Sequence, residues 1–162
     1  MSALDQIRAI HKRHEGRRRL IDLPVWWSSE LDGGTEIVIR CQPVPADRIA
    51  AVMAPVVDGR GEPVPGAAAT AMANLIAEAT IDIRVIGPDG NDDGLSPDGP
   101  IRFGPELADL MEWDDPPATA AETVERFLRI DDAPLAVHGV AAALQQQLAG
   151  GIEVAAREAL GE

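Results

Sequence analysis

Apolar residues along this chain recur at two spacings, alternate positions in some stretches and every three or four in others, and the switches between them mark out its elements. In "IDIRVI", alternation puts Ile81, Ile83 and Val85 on one face of a strand and Asp82 and Arg84 on the other. "LPVWW" and "TEIVIRC" are also strand-prone, and the turn-rich "SSELDGG" between them predicts a β-hairpin over 23–42. Trp26 and Trp27 are adjacent, so in a strand they point to opposite faces, one into the core and one to a rim or an interface. "IRF" at 101–103 is placed to pair back on 81–86.

Helical spacing accounts for most of the rest. Ser2 can cap a short helix carrying Leu4, Ile7 and Ile10 on one side, which Gly16 breaks. "ADRIAAVMAPVV" predicts a second helix with Asp47 near its positive end and Pro55 closing it. "VDGRGEPVPG" reads as a mobile loop, and "AAATAMANLIAEAT" as a stronger helix with Met72, Leu75, Ile76 and Ala79 in register. "PELADLMEW" offers Leu107, Leu110 and Met111 as its apolar set. Thr119 and Glu122 have capping-box spacing before Val124, Phe127 and Leu128. Asp132 can cap a last helix whose stripe of Val137, Val140, Leu144 and Leu148 is longer than one side of a small domain readily covers, with Ile152 and Leu160 continuing beyond "AGG". The expectation is an α+β fold, mainly helical, with a small antiparallel β-hairpin element. Residues 1–19 form a basic N-terminal helix or arm, and 20–162 form a single mixed domain, helical in its C-terminal third.

Composition changes this picture little, but charge changes it more. With 3% aromatic residues and no Tyr, the core has to be built from Ala, Val, Leu and Ile. Residues 1–20 carry six basic and two acidic side chains, a net of +4, and the remaining 142 carry eight basic and 25 acidic ones, a net of -17. An acidic body repels phosphate backbones, so nucleic-acid binding could only be the work of the basic head, and nucleic acid is not the expected partner. The apolar runs fall short of a membrane span, and the start lacks the layout of a secretory signal, which leads to the expectation of a soluble intracellular protein with no membrane partner.

Candidate chemistry is sparse. "GPDGNDDGLSPDGP" begins like a calcium loop, with Asp89, Asn91, Asp93 and Asp98 as the ligands it could offer. The twelfth position, where a bidentate Glu belongs, is Pro100, so a turn is expected and no metal. His11 and His14 are three apart but surrounded by Lys12, Arg13 and Arg17, which oppose a cation. His138 has no carboxylate fixed beside it by sequence. The pairs Asp114 with Asp115 and Asp131 with Asp132 lie where helices begin and end. Cys41 reads as a small buried residue. No phosphate loop, dinucleotide fingerprint or nucleophile elbow is present, and neither an enzyme nor a cofactor is expected.

The order "LPVWW…TEIVIRCQPVPADRI", then "ANLIAEATID", then "GPIRFGPELADLM" and "ETVERFLRIDDAPLAVHGVAAAL" resembles the tail assembly chaperones of long-tailed bacteriophages over about residues 20–148. The arginine-rich head and the "GNDDGLSPDG" insertion depart from that pattern. The resemblance implies a non-enzymatic protein of the host cytoplasm that coats the helical, aggregation-prone tape-measure protein during tail assembly, with a possible homo-oligomer. Trp26, Trp27, Arg40, Phe103, Leu107 and Leu110 match its motifs. With the terminal stripe added, the expected partner-binding residues are Trp26, Trp27, Val137, Val140, Leu144 and Leu148. The alternative is a structural tail or head-tail connector subunit of a virion. A third reading, an acidic regulator that mimics nucleic acid, would need a comb of carboxylates on one face, whereas the acidic positions here are scattered.

Overall fold

The computed structural model describes residues 2–15, 20–129, 137 and 139–146. Helix α1 spans Ala3–Glu15. Ser2 and Asp5 close its first turn reciprocally: the Ser2 hydroxyl oxygen accepts from the Asp5 amide at 3.2 Å, and the Ser2 hydroxyl donates to the Asp5 carboxylate at 2.8 Å. Of residues 3–13 only Ile10 is half-buried, and the others are exposed.

Four strands form one antiparallel sheet in the order β1-β2-β3-β4. They are β1 (Ile21–Pro24), β2 (Glu36–Cys41), β3 (Thr80–Ile86) and β4 (Asp92–Gly94). The hairpin expected over 23–42 is present as β1 paired with β2, from Ile21 opposite Cys41 to Pro24 opposite Val38. Pro24 lies at the end of this edge strand, where its missing N–H breaks no central ladder. Helices α2 (Ala46–Met53) and α3 (Ala67–Ala79) fill the crossover from β2 to β3. Helices α4 (Pro105–Leu110) and α5 (Ala120–Leu128) follow the sheet. The result is the expected α+β domain, with a fuller sheet than one hairpin.

Alternation sorts the sheet into two faces. Ile21, Leu23, Ile37, Ile39, Cys41 and Ile83 enter a core completed by Leu75 and Ile76 of α3, Leu107 of α4, and Val124, Phe127 and Leu128 of α5. Asp22, Arg40 and Arg84 lie on the opposite face.

Several expectations are corrected. Trp26 and Trp27 are not in a strand: they open a 3-10 turn, Trp26–Glu30. Residues 101–103 form no strand on β3. That place is taken by β4, and the 101 segment is held by side chains instead, with the Ile101 amide donating to the Asp82 carboxylate at 2.9 Å and Arg102 Nε donating to the Thr80 carbonyl at 2.9 Å. The 57–66 loop is closed by a bridge between Val57 and Pro63 and by the Asp58 carboxylate, which accepts from the Arg60 and Glu62 amides. Leu110 and Met111 stay exposed, so Leu107 and Ala108 alone carry α4 into the core.

The C-terminal stripe is also corrected. Residues 139–146 are helical, and Val137, Val140 and Leu144 are buried within the common core rather than displayed for another chain. Leu148, Asp132, His138 and the stripe beyond lie outside the described residues. Among the described residues no helix is long and apolar enough to cross a membrane.

Candidate partner-binding surface

The feature built around the tryptophans begins with Ser28. Its buried hydroxyl donates to the Val25 carbonyl at 2.7 Å, and its amide donates to the same carbonyl at 3.0 Å. This double attachment curls the chain as soon as it leaves β1, and Leu31 closes the turn by donating its amide to the Ser28 carbonyl. In a strand the two indoles would diverge, but the 3-10 turn brings both to the C-terminal end of α5. Trp26 Nε1 donates to the Leu128 carbonyl at 2.8 Å, and Trp27 Nε1 donates to the Phe127 carbonyl at 2.9 Å. A helix leaves its last carbonyls without internal partners, so the indoles act as side-chain caps reaching across about a hundred residues of sequence.

The two rings then part company. Trp27 is half-buried and meets Phe127 edge-on at 5.2 Å, and Phe127 meets Phe103 edge-on at 5.7 Å, giving a three-ring edge-to-face cluster typical of core packing. Trp26 keeps 44% of its surface in water. With Leu31, Pro24 and Thr35 it lines an open groove of about 460 Å³ with Glu36 on its edge. A fixed indole donor and a partly exposed ring form an apolar ledge along this groove.

Arg40 serves the opposite face of the sheet. It forks onto Asp22 at 2.8 and 2.9 Å and reaches Asp92 at 2.8 Å. Arg84 takes the other oxygen of Asp92 at 2.7 Å and Asp82 at 2.9 Å. Three carboxylates and two guanidinium groups thus tie together all four strands. Asp22, helped by Asp92, raises the Arg40 pKa above its ordinary value, and Arg84 then Arg40 hold the Asp92 carboxyl below its own. Bonded to these carboxylates, and in the case of Arg84 also to the Asp92 carbonyl at 2.9 Å, the two arginines brace the sheet.

The remaining candidates resolve into structure. Asp89 accepts from the Asn91 amide and side chain, Gly90 adopts a left-handed φ of 84°, and the Gly87 carbonyl accepts from the Gly90 amide at 3.0 Å. The loop resembling a calcium site is the tight turn joining β3 to β4. Among the described residues no group of three His, Cys, Asp or Glu side chains is placed to hold a metal ion. Cys41 is buried, and desolvation pushes its thiol up to about 12, which keeps it protonated and unreactive at neutral pH. Sequence reasoning missed the capping role of the indoles and the ion ladder. The alternating Asp22, Arg40, Asp82 and Arg84 carried a signal for the ladder, whereas the turn-rich 28–34 stretch signalled a turn but not that it begins at Trp26.

Comparison with known proteins finds no family model, no curated protein and no solved structure that matches this chain.

Proposed function

We propose that this chain is a non-enzymatic partner-binding protein, a tail assembly chaperone of long-tailed bacteriophages that holds the tape-measure protein soluble in the host cytoplasm while the tail is built. The observation that carries the partner-binding reading is Trp26, a large apolar ring positioned by its own hydrogen bond and 44% exposed beside Leu31. Rigid aromatic anchors lose little freedom on binding and are over-represented among residues that dominate interface energy. A shallow ledge with an acidic edge also suits a holder that must release its client, because contacts of modest area exchange readily. The sequence resemblance adds the client's identity, a long helical protein whose apolar stripes need covering until tube subunits replace the chaperone.

Coexpression with the tape-measure protein tests the reading. The wild-type chain should keep it soluble and co-purify with it. Trp26→Ala should weaken capture by at least about 2 kcal/mol, the usual hot-spot threshold. Trp26→Phe keeps most of the ring without the cap and should lose less. Purified virions should lack the chain. Its presence there in many copies would replace this reading with that of a structural tail subunit, and equal capture by Trp26→Ala would move the interface elsewhere.

A further inference from the structure

Two surfaces of the molecule complement each other. On α1, Leu4 and Ile7 are 53% and 62% exposed, one turn apart, and Arg8 and Lys12 flank them one turn from each other. Leaving Leu4 and Ile7 in water costs free energy that burial against another apolar surface would recover. The second surface is an open groove of about 440 Å³ between the 96–101 loop and α4. Asp98, Glu106 and Asp109 line it, and among the described residues none of the three is in an ion pair. Leu110, 45% exposed, forms part of its wall, and exposed Met111 follows it in sequence. The arm thus carries apolar residues bordered by cations, and the groove carries an apolar wall bordered by carboxylates.

We propose that α1 is a docking arm that seats in the acidic groove beside α4 of a second copy of this chain. Charge selects the occupant: a net of +4 over residues 1–20 faces a body of net -17, so each copy carries both halves of a complementary contact. Leu4 and Ile7 cover Leu110 and Met111, while Arg8 and Lys12 meet Glu106 and Asp109. Reciprocal exchange closes a two-fold pair, the commonest symmetry of self-association. This contact needs neither Trp26 nor a phage protein, so it can fail while the proposed function stands, and the reverse also holds.

The test uses the full chain and charge reversal at exposed positions, with circular dichroism confirming that each variant keeps its helix content. Sedimentation of the wild type should show concentration-dependent self-association that weakens as ionic strength rises. Arg8→Glu with Lys12→Glu should weaken it by about tenfold or more, because both attractive contacts of each arm become repulsive ones. Glu106→Lys with Asp109→Lys should do the same. Mixing the two double variants should restore association as a heterodimer, since each arm then faces a groove of opposite sign. A wild type that stays monomeric at low salt, variants that associate like the parent, or a mixture that forms no heterodimer would each overturn the proposal. The last result is also what docking of the arm on its own chain would give.

Discussion

Trp26 and Trp27 are neighbours in sequence with identical side chains, yet one is wedged against Phe127 and the other lies half in water. What separates them is the 3-10 turn fixed by Ser28, which gives both indole hydrogens the same task and leaves only their rings to differ. Cys41 shows the opposite relation, in which one residue's surroundings set its chemistry. Burial holds its thiol protonated up to about 12, whereas in the unfolded chain it ionises near its ordinary value of about 9. The neutral form is thus favoured by folding, and this contribution to stability is complete below pH 9 and fades as pH climbs from about 9 towards about 12. Cys41→Ala should therefore flatten part of the alkaline loss of stability in denaturant titrations. In the native wild type, a thiol-alkylating reagent should label Cys41 only at the rate of unfolding, and fast labelling at neutral pH would show that the thiol is reachable.

The elements of this protein were legible in its sequence wherever one periodicity runs without interruption. The alternation of 81–86 became β3, the stripe of 67–79 became α3, and the spacing of Thr119 and Glu122 became a cap in which the Thr119 hydroxyl oxygen accepts from the Glu122 amide at 3.2 Å. What stayed hidden were elements whose cause lies in a side chain far along the chain. Residues 101–103 alternate like a strand, but Asp82 takes the Ile101 amide that a ladder would have used. The turn expected after β3 is present, but the role of the carboxylate it delivers was not legible, since Asp92 is directed to Arg84 and Arg40. That ladder yields a prediction with a definite sign. The guanidinium groups lower the Asp92 pKa in the folded chain, so its contribution is present above the ordinary carboxylate range and is lost as pH falls through the lowered value. Asp92→Asn should be less stable than the wild type at neutral pH, and the gap should close on acidification and narrow in high salt. Arg40→Met removes the centre of the ladder and should cost about 1 kcal/mol at neutral pH, modest because exposed ion pairs are screened. Parallel urea titrations of the three proteins across pH would check both, and a gap that persists unchanged in acid would assign the effect of Asp92→Asn to packing instead.

At the scale of the whole molecule, the C-terminal apolar stripe has a use that spacing alone did not suggest, while the first helix is the exposed arm that was expected. The C-terminal stripe looked too long for internal use, while the first helix read as a short basic arm. In the folded chain, Val137, Val140 and Leu144 help build the core, whereas Leu4 and Ile7 of α1 face solvent. Periodicity shows that a helix has an apolar side but not which surface covers it, because coverage depends on how helices pack on the sheet. The core is poor in aromatic rings, so each buried aliphatic residue bears a larger share of it, and Leu144 is fully buried. Leu144→Ala should therefore lower unfolding free energy by about 2–5 kcal/mol, the loss expected when a cavity replaces a buried leucine. For a domain of this size that amounts to a drop of several degrees or more in melting temperature. The folded fraction of the variant should nevertheless capture its partner like the wild type, because Leu144 touches no surface. Leu4→Ser should behave the other way, leaving the melting temperature close to the parent's while weakening self-association. Thermal melts and sedimentation on the two variants distinguish the roles: a stable Leu144→Ala chain that no longer binds would place the interface on the C-terminal helix after all, and a Leu4→Ser chain that melts early would make α1 part of the core.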